Sequence, residues 1–228
     1  MNNRLLISIG VIALLAGCKG ENAKVDLGYA YYPAEVGAWI SYDVDSIRHF
    51  PDESVDTVRY QIRELVESAF TDEAGRPARR IERYYRDSSD EDWGIKDIWM
   101  VAITNRKVEK VEENIRYVRL TFPVRNDQLW DGNALNDFEP WNYSYAEVDQ
   151  AYSVEGNVFD TTATVNQEGA VNLIEQRRGQ EVYAKNLGLV YKELVDIETD
   201  VNYSSNPVPE NIQSGYELYY KYLDHGQN

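Results

Sequence analysis

The feature that most constrains this chain is a recurrent period of two. Val58, Tyr60, Ile62 and Val66 share one parity, with Arg59, Gln61, Arg63 and Glu67 on the other. Such spacing puts apolar side chains on one face of a half-buried strand. Tyr216, Leu218, Tyr220 and Tyr222 repeat it, opposite Glu217 and Lys221. Ile98 to Ile103 (IWMVAI) is apolar on both parities, the pattern of a central strand covered on both faces. Further strands are expected over 37–48, 78–87, 106–112, 115–122, 142–154, 157–167, 170–177 and 189–199. Turns are expected at 72–77, at Glu113-Asn114, at Glu155-Gly156-Asn157 and at Gln167-Glu168-Gly169. About ten strands joined mostly by short turns predict an all-β fold. Its form would be an antiparallel curved sheet, barrel or half-barrel, with one long central loop and at most a short helix.

Two segments compete with that reading. Ile62, Leu65, Val66, Ala69 and Phe70 also fit an amphipathic helix, but Val58 and Tyr60 extend the alternation and favour a strand. Residues 178–187 are expected to form a turn or two of helix before Gly188. The longest irregular stretch is 123–141, and a loop of that length is usually functional or a packed flap. Residues 204–209 (SSNPVP) read as a loop before the last strand.

Charge and rare residues exclude several functions. Lys plus Arg is 23 against 39 Asp plus Glu, a net charge of −16. That field opposes nucleic-acid binding, and docking on anionic lipid by charge alone. The chain holds one Cys and two His, with no HExxH and no Cys pair, so zinc is not expected. The acidic clusters Asp87, Asp90, Glu91, Asp92 and Asp127, Asp131, Asn133, Asn136, Asp137 do not follow the Asp-x-Asp-x-Asp-Gly calcium loop, and read as solvated loop tips. His49 and His225 read as surface residues, the latter in a fraying tail. There is no Gly-x-Ser-x-Gly elbow, dinucleotide fingerprint or phosphate loop. A glycosidase needs two carboxylates across a cleft, and the 39 acids single out no pair. The expectation is a protein that is not an enzyme and takes no cofactor.

The first eighteen residues read as an address. Arg4 supplies a positive start, and Leu5 to Leu14 is an apolar run too short for an ordinary membrane span. Leu15-Ala16-Gly17-Cys18 resembles the lipobox of bacterial lipoproteins. The resemblance implies cleavage before Cys18 and diacylglyceryl transfer to its thiol. The expected organisation is a signal peptide over 1–17, a lipidated Cys and tether over 18–30, and one β domain over 31–226. Two or more acyl chains give stable anchoring, so membrane attachment would need no patch on the domain itself. Lys19 stands where inner-membrane retention signals have Asp, which by resemblance favours the outer membrane. Lys19-Gly20-Glu21 faintly resembles the surface-export signals of Bacteroidota lipoproteins but lacks the second acid, so the membrane face stays open.

Several segments together resemble a group of Bacteroidota lipoproteins without an established function. They are Tyr31-Tyr32-Pro33 with Val36-Gly37 and Trp39; Tyr42-Asp43; 56–60 (DTVRY) and 80–84 (RIERY); Trp130-Asp131-Gly132-Asn133 with Asn136; and 183–190 (YAKNLGLV). The resemblance implies an extracytoplasmic, lipid-anchored β domain and supplies no site residues.

The residues most suited to binding lie in the long loop. Trp130, Phe138, Trp141, Tyr143 and Tyr145 interleave with Asp131, Asn133, Asn136 and Asp137. Rings can stack on the apolar face of a sugar or peptide while Asn and Asp bond its polar groups. The competing role is structural: the rings pin the loop and the amides bond turn backbone. The functional expectation is an outer-membrane-anchored, non-catalytic binding module of the cell envelope, with a protein assembly or a glycan as partner. The alternatives are a carrier of a lipid or other apolar ligand in a half-barrel, and an envelope hydrolase using a carboxylate pair. A carrier would leave a concave face open rather than filled with Tyr and Trp.

Overall fold

The computed structural model describes residues 25–169, 172, 174–199 and 212–228. The proposed signal peptide, Leu15, Ala16, Gly17 and Cys18, and the 204–209 loop lie outside the described residues.

Twelve strands form one antiparallel sheet: β1 (Ala38–His49), β2 (Val55–Thr71), β3 (Pro77–Arg86), β4 (Gly94–Ile103), β5 (Lys107–Glu112), β6 (Ile115–Thr121), β7 (Leu129–Asp131), β8 (Asn142–Val154), β9 (Asn157–Gln167), β10 (Glu175–Ala184), β11 (Gly188–Thr199) and β12 (Ile212–Gln227). The order across the sheet is β6-β5-β4-β3-β2-β1-β12-β11-β10-β9-β8-β7. Every neighbour but one is a hairpin partner, and the chain ends meet at β1–β12. The all-β expectation holds, and the only helical element among the described residues is a 3-10 turn at Tyr29–Tyr31.

Some local expectations are corrected. Residues 178–187 do not begin with helix: β10 runs to Ala184, with Glu181, Val182, Tyr183 and Ala184 all buried between β9 and β11. Packing on both faces overrides the polar, glycine-bearing local sequence. The 62–70 segment lies in β2. The 123–141 stretch is interrupted by β7. The IWMVAI strand is buried on both faces only at Val101 and Ala102, while Ile98 is 52% exposed. His225 does not fray: it lies in β12 opposite Ile40, with its ring bonded to the Tyr222 hydroxyl. His49 is largely buried, its Nε2 2.8 Å from Glu217.

The sheet curls until its two edges nearly meet. The Val118 N–H donates to the Gly132 carbonyl at 2.9 Å, and the Trp130 indole N–H donates to the Val118 carbonyl at 3.0 Å. The Tyr145 hydroxyl completes the seam. It accepts from the Thr121 N–H at 3.0 Å and donates to the Thr121 carbonyl at 2.8 Å. One side chain thus satisfies both backbone groups of an edge residue, which would otherwise be exposed for unwanted pairing. The main core packs beneath this seam, from Val101, Val108 and Leu120 on one side to Tyr143, Tyr145 and Val165 on the other.

Residues 26–30, which the sequence assigns to the tether, are docked on the domain. The Leu27 carbonyl accepts from the Val124 N–H, and the Tyr29 ring meets Phe122 edge-on. Asp26 pairs with Lys185 at 3.1 Å, and the Ala30 carbonyl accepts from the Asn186 N–H at 2.7 Å. Tyr31 is buried, and its hydroxyl donates to Asp149 at 2.8 Å.

Candidate functional site

The near-barrel is not filled. Inside it lies a cavity of about 550 Å³, a size suited to one small ligand. Its wall is apolar and aromatic: Tyr32, Trp39, Ile40, Val66, Ile81, Trp99, Leu187 and Leu189. Its rim includes the exposed residues Glu35 and Asn186, beside Pro33, Ala34 and Gln227. The rim is therefore built by the chain entering β1, the end of β12 and the β10–β11 turn. Asn186 and Gly188 hold that turn tight at φ 64° and 100°, a conformation glycine adopts without steric cost.

The floor is charged. Asp97, Arg83, Glu64, Lys110, Glu112, Arg119, Glu181 and Lys192 form an unbroken row of alternating sign. Arg83 holds Asp97 at 2.9 Å and Glu64 at 3.3 Å. Lys110 lies 3.0 Å from Glu64 and 3.6 Å from Glu112. Arg119 forks onto Glu112 at 2.7 and 3.2 Å and reaches Glu181 at 3.4 Å. Lys192 closes the row 3.4 Å from Glu181. Glu64 sits on β2 and Lys110 on β5, Arg119 on β6 and Glu181 on β10; neither pair of strands is adjacent in the sheet. The row therefore crosses the interior from wall to wall. Of its members, Glu64, Glu112, Glu181, Lys110, Arg119 and Lys192 line the cavity, three acids against three bases with a sum of zero; behind them Arg83 and Asp97 carry the row outward to the exposed Lys96, 2.7 Å from Asp97.

Local irregularities place these groups. In the β5–β6 pairing Val108 faces Leu120 and Glu109 faces Val118, so Arg119 is the extra residue of a bulge. A bulge redirects the side chain of the residue it inserts, and Arg119 reaches Glu181 on the opposite wall. Arg83 and Lys110 also stack on Trp99, at 3.6 and 4.5 Å from its ring centre. Cation–π contact adds to the pairing of both cations.

The row fixes ionisation. Burial alone would raise the Glu112 carboxyl, but Arg119, Lys110 and Lys192 outweigh it and hold it well below the usual range. Glu181 is lowered in the same way, against its own burial, chiefly by Arg119 and Lys192. Burial would lower Lys110, yet Glu64, Tyr32 and Glu112 raise it. Burial pushes the Tyr32 phenol up to about 12. Glu112, Glu181, Lys110 and Arg119 are thus each held in the charged form by partners inside the protein.

The sequence-predicted loop residues lie elsewhere. The Asn136 amide donates to the Arg116 carbonyl beside the β5–β6 turn, at the end of the strands opposite the cavity rim. Asp131 accepts from the N–H groups of Asn133 and Trp141 at 2.8 and 2.9 Å. Asn133 is buried and donates to the Glu139 carbonyl. Trp130 packs on Tyr143 and Tyr145, and Trp141 packs on Tyr143 beneath Arg177. Asp137 is exposed. The structure brings five of the six together as a hydrogen-bonded, ring-pinned loop. Among the described residues no group of three or more His, Cys, Asp or Glu side chains converges in a way that could hold a metal.

No family model matches this chain. Nor does any curated protein. Two solved structures align with it. One is a "putative exported protein with YmcC-like fold" from Bacteroides fragilis, at 11% identity over 85% of this chain and 98% of that one, TM-score 0.39. The other is a "putative lipoprotein" from Parabacteroides distasonis, at 12% identity over 86% of this chain and 98% of that one, TM-score 0.40. Likeness at that level assigns no function, and the cavity is weighed on its own chemistry.

The sequence reading missed the cavity floor. A signal was present: Glu64 is the one charged residue on the apolar parity of β2 between Ile62 and Val66, and Lys110 and Glu112 share the parity of buried Val108. A charge on a core-facing parity is either unpaired and costly or one member of a buried network.

Proposed function

We propose that this chain is a lipid-anchored cell-envelope protein that binds an amphiphilic small molecule in its barrel cavity without transforming it. The observation that carries the reading is the cavity itself, with an aromatic wall on one side and a self-paired charged floor on the other. An apolar tail would bury against Trp39, Ile40 and Leu189, and a polar head would meet the row of charges. The lipobox-like Leu15-Ala16-Gly17-Cys18 supports anchoring through acyl chains on Cys18, and Lys19 favours the outer membrane. A hydrolytic role fits less well. Glu112 and Glu181 approach Arg119 from two walls, but both are held ionised, and a glycosidase needs one carboxyl with a raised pKa to donate a proton.

Native mass spectrometry of the gently purified full-length protein tests this. The expected result is a reproducible added mass, lost on denaturation and absent from a Val66→Trp variant whose larger ring fills the cavity. A bare mass in the unsubstituted protein counts against the reading. A second reading, docking of an envelope protein or glycan on the 123–141 loop, is favoured by its exposed Leu129 and Phe138. Site-specific crosslinking in cells from position 138 that recovers no discrete partner would remove it.

A further inference from the structure

The charge balance of the floor limits what can lie on it. Within the row no cation lacks an anion and no anion lacks a cation: Lys110 is shared by Glu64 and Glu112, and Arg119 by Glu112 and Glu181. A ligand carrying one net charge down to this floor gives up its water shell and finds no uncommitted counter-ion there; Glu35 and His225, which also line the cavity, are exposed at its rim. Leaving a buried charge uncompensated is the costly case, whereas polar groups that find hydrogen bonds are tolerated. A neutral head, or a zwitterion with both signs, can bond to the row without breaking it. The Tyr32 ring is in the lining, and its phenol, held protonated, adds a neutral hydrogen-bonding group there. Volume adds a second limit, since about 550 Å³ accommodates one chain or one ring system rather than a two-chain lipid.

Resting on the cavity reading above, we infer that the ligand is a single-chain amphiphile with no net charge, neutral or zwitterionic at its head. The net charge of −16 acts with opposite sign on an anion and a cation, so a preference for uncharged and zwitterionic heads over both ions is the signature of the floor rather than of the acidic surface.

The test uses the full-length lipoprotein in phosphatidylcholine nanodiscs and four probes with one identical brominated acyl chain. The heads are glycerol, phosphocholine, carboxylate and trimethylammonium, and the readout is quenching of Trp99 at pH 7, taken as the difference from a Trp99→Phe variant. The glycerol and phosphocholine probes are expected to bind at least tenfold more tightly than either ion. Equal or tighter binding of the carboxylate or ammonium probe would overturn the inference while leaving the cavity reading standing. Absence of Trp99-dependent quenching by all four would overturn both. A Lys192→Met variant provides an internal check. Lys192 ends the row and is partly exposed, so the remaining pairs persist. The floor then carries one net negative charge, and the ammonium probe should gain at least threefold over the glycerol probe; no gain would count against the inference.

Discussion

Glu112 makes the heaviest single demand on its surroundings. It takes both arms of the Arg119 fork and lies 3.6 Å from Lys110. Removing one member of a buried ion network leaves its partners uncompensated, at a typical cost of about 3–5 kcal/mol. Glu112→Gln should therefore lose about that much stability in urea unfolding at pH 7. The same residue sets an acid limit. Its folded carboxyl titrates below the usual value, so its contribution is complete above the unfolded glutamate pKa of about 4.3 and is lost as pH falls through that value toward the folded one. Glu181 acts in the same direction. Lys110 is raised, so its contribution is complete below about 10.4 and is lost above it. Stability should be flat between these limits, and Glu112→Gln should show a shallower acid limb than the unsubstituted protein. At this scale the sequence was only partly legible. Buried Tyr42, Val44 and Ile62 follow from alternation. The partners of Glu64 do not, since Arg83 is a strand neighbour but Lys110 lies across the barrel.

The strands were far more legible than the charges. Hairpin neighbours pair in sequence order, so a local period of two and a short turn suffice to place them. The exceptions arise where tertiary packing decides. The first half of β10 holds Arg177, Arg178 and Gly179, a local pattern suited to a turn, yet in the sheet Gly179 leaves room for the Gln167 side chain, whose Oε1 would lie 2.3 Å from an added Cβ. β7 is three residues long, too short to show a period. The aromatic loop around it was legible as a cluster of residue types, and its internal bonds follow from the turn chemistry of Asp131, Asn133 and Asn136. The seam offers a test of element pairing. Tyr145→Phe removes both partners of Thr121 while keeping the ring, and unsatisfied buried backbone groups cost about 1–3 kcal/mol. The amide of Thr121 should lose hydrogen-exchange protection while the β1–β12 amides keep theirs; unchanged protection at Thr121 would show that the seam does not depend on the hydroxyl.

For the whole molecule, the cavity rim and the incoming chain share one end. Asp26 grips Lys185 and Ala30 bonds Asn186, next to the rim. From Cys18 to Val25 the chain can extend at most about 25 Å. An acylated Cys18 would therefore hold the rim close to the bilayer from which an amphiphile would come. Inserting a flexible linker of about 20 residues after Cys18 should slow uptake of a brominated monoacylglycerol from vesicles, since effective concentration falls as a tether lengthens. Affinity measured by the same quenching should not change. The row of ions across the interior has a mechanical side as well. An oily lumen of this size could shrink by repacking, but a chain of ion pairs spanning opposite walls resists compression, because Arg119–Glu112 and Lys110–Glu64 already stand at contact distance, 2.7 and 3.0 Å. The ions behave as a strut. The hollow and the electrostatic order that keeps it open are then one property, and replacing the row with well-fitted leucines would trade capacity for rigidity: a firmer barrel with nothing left to hold.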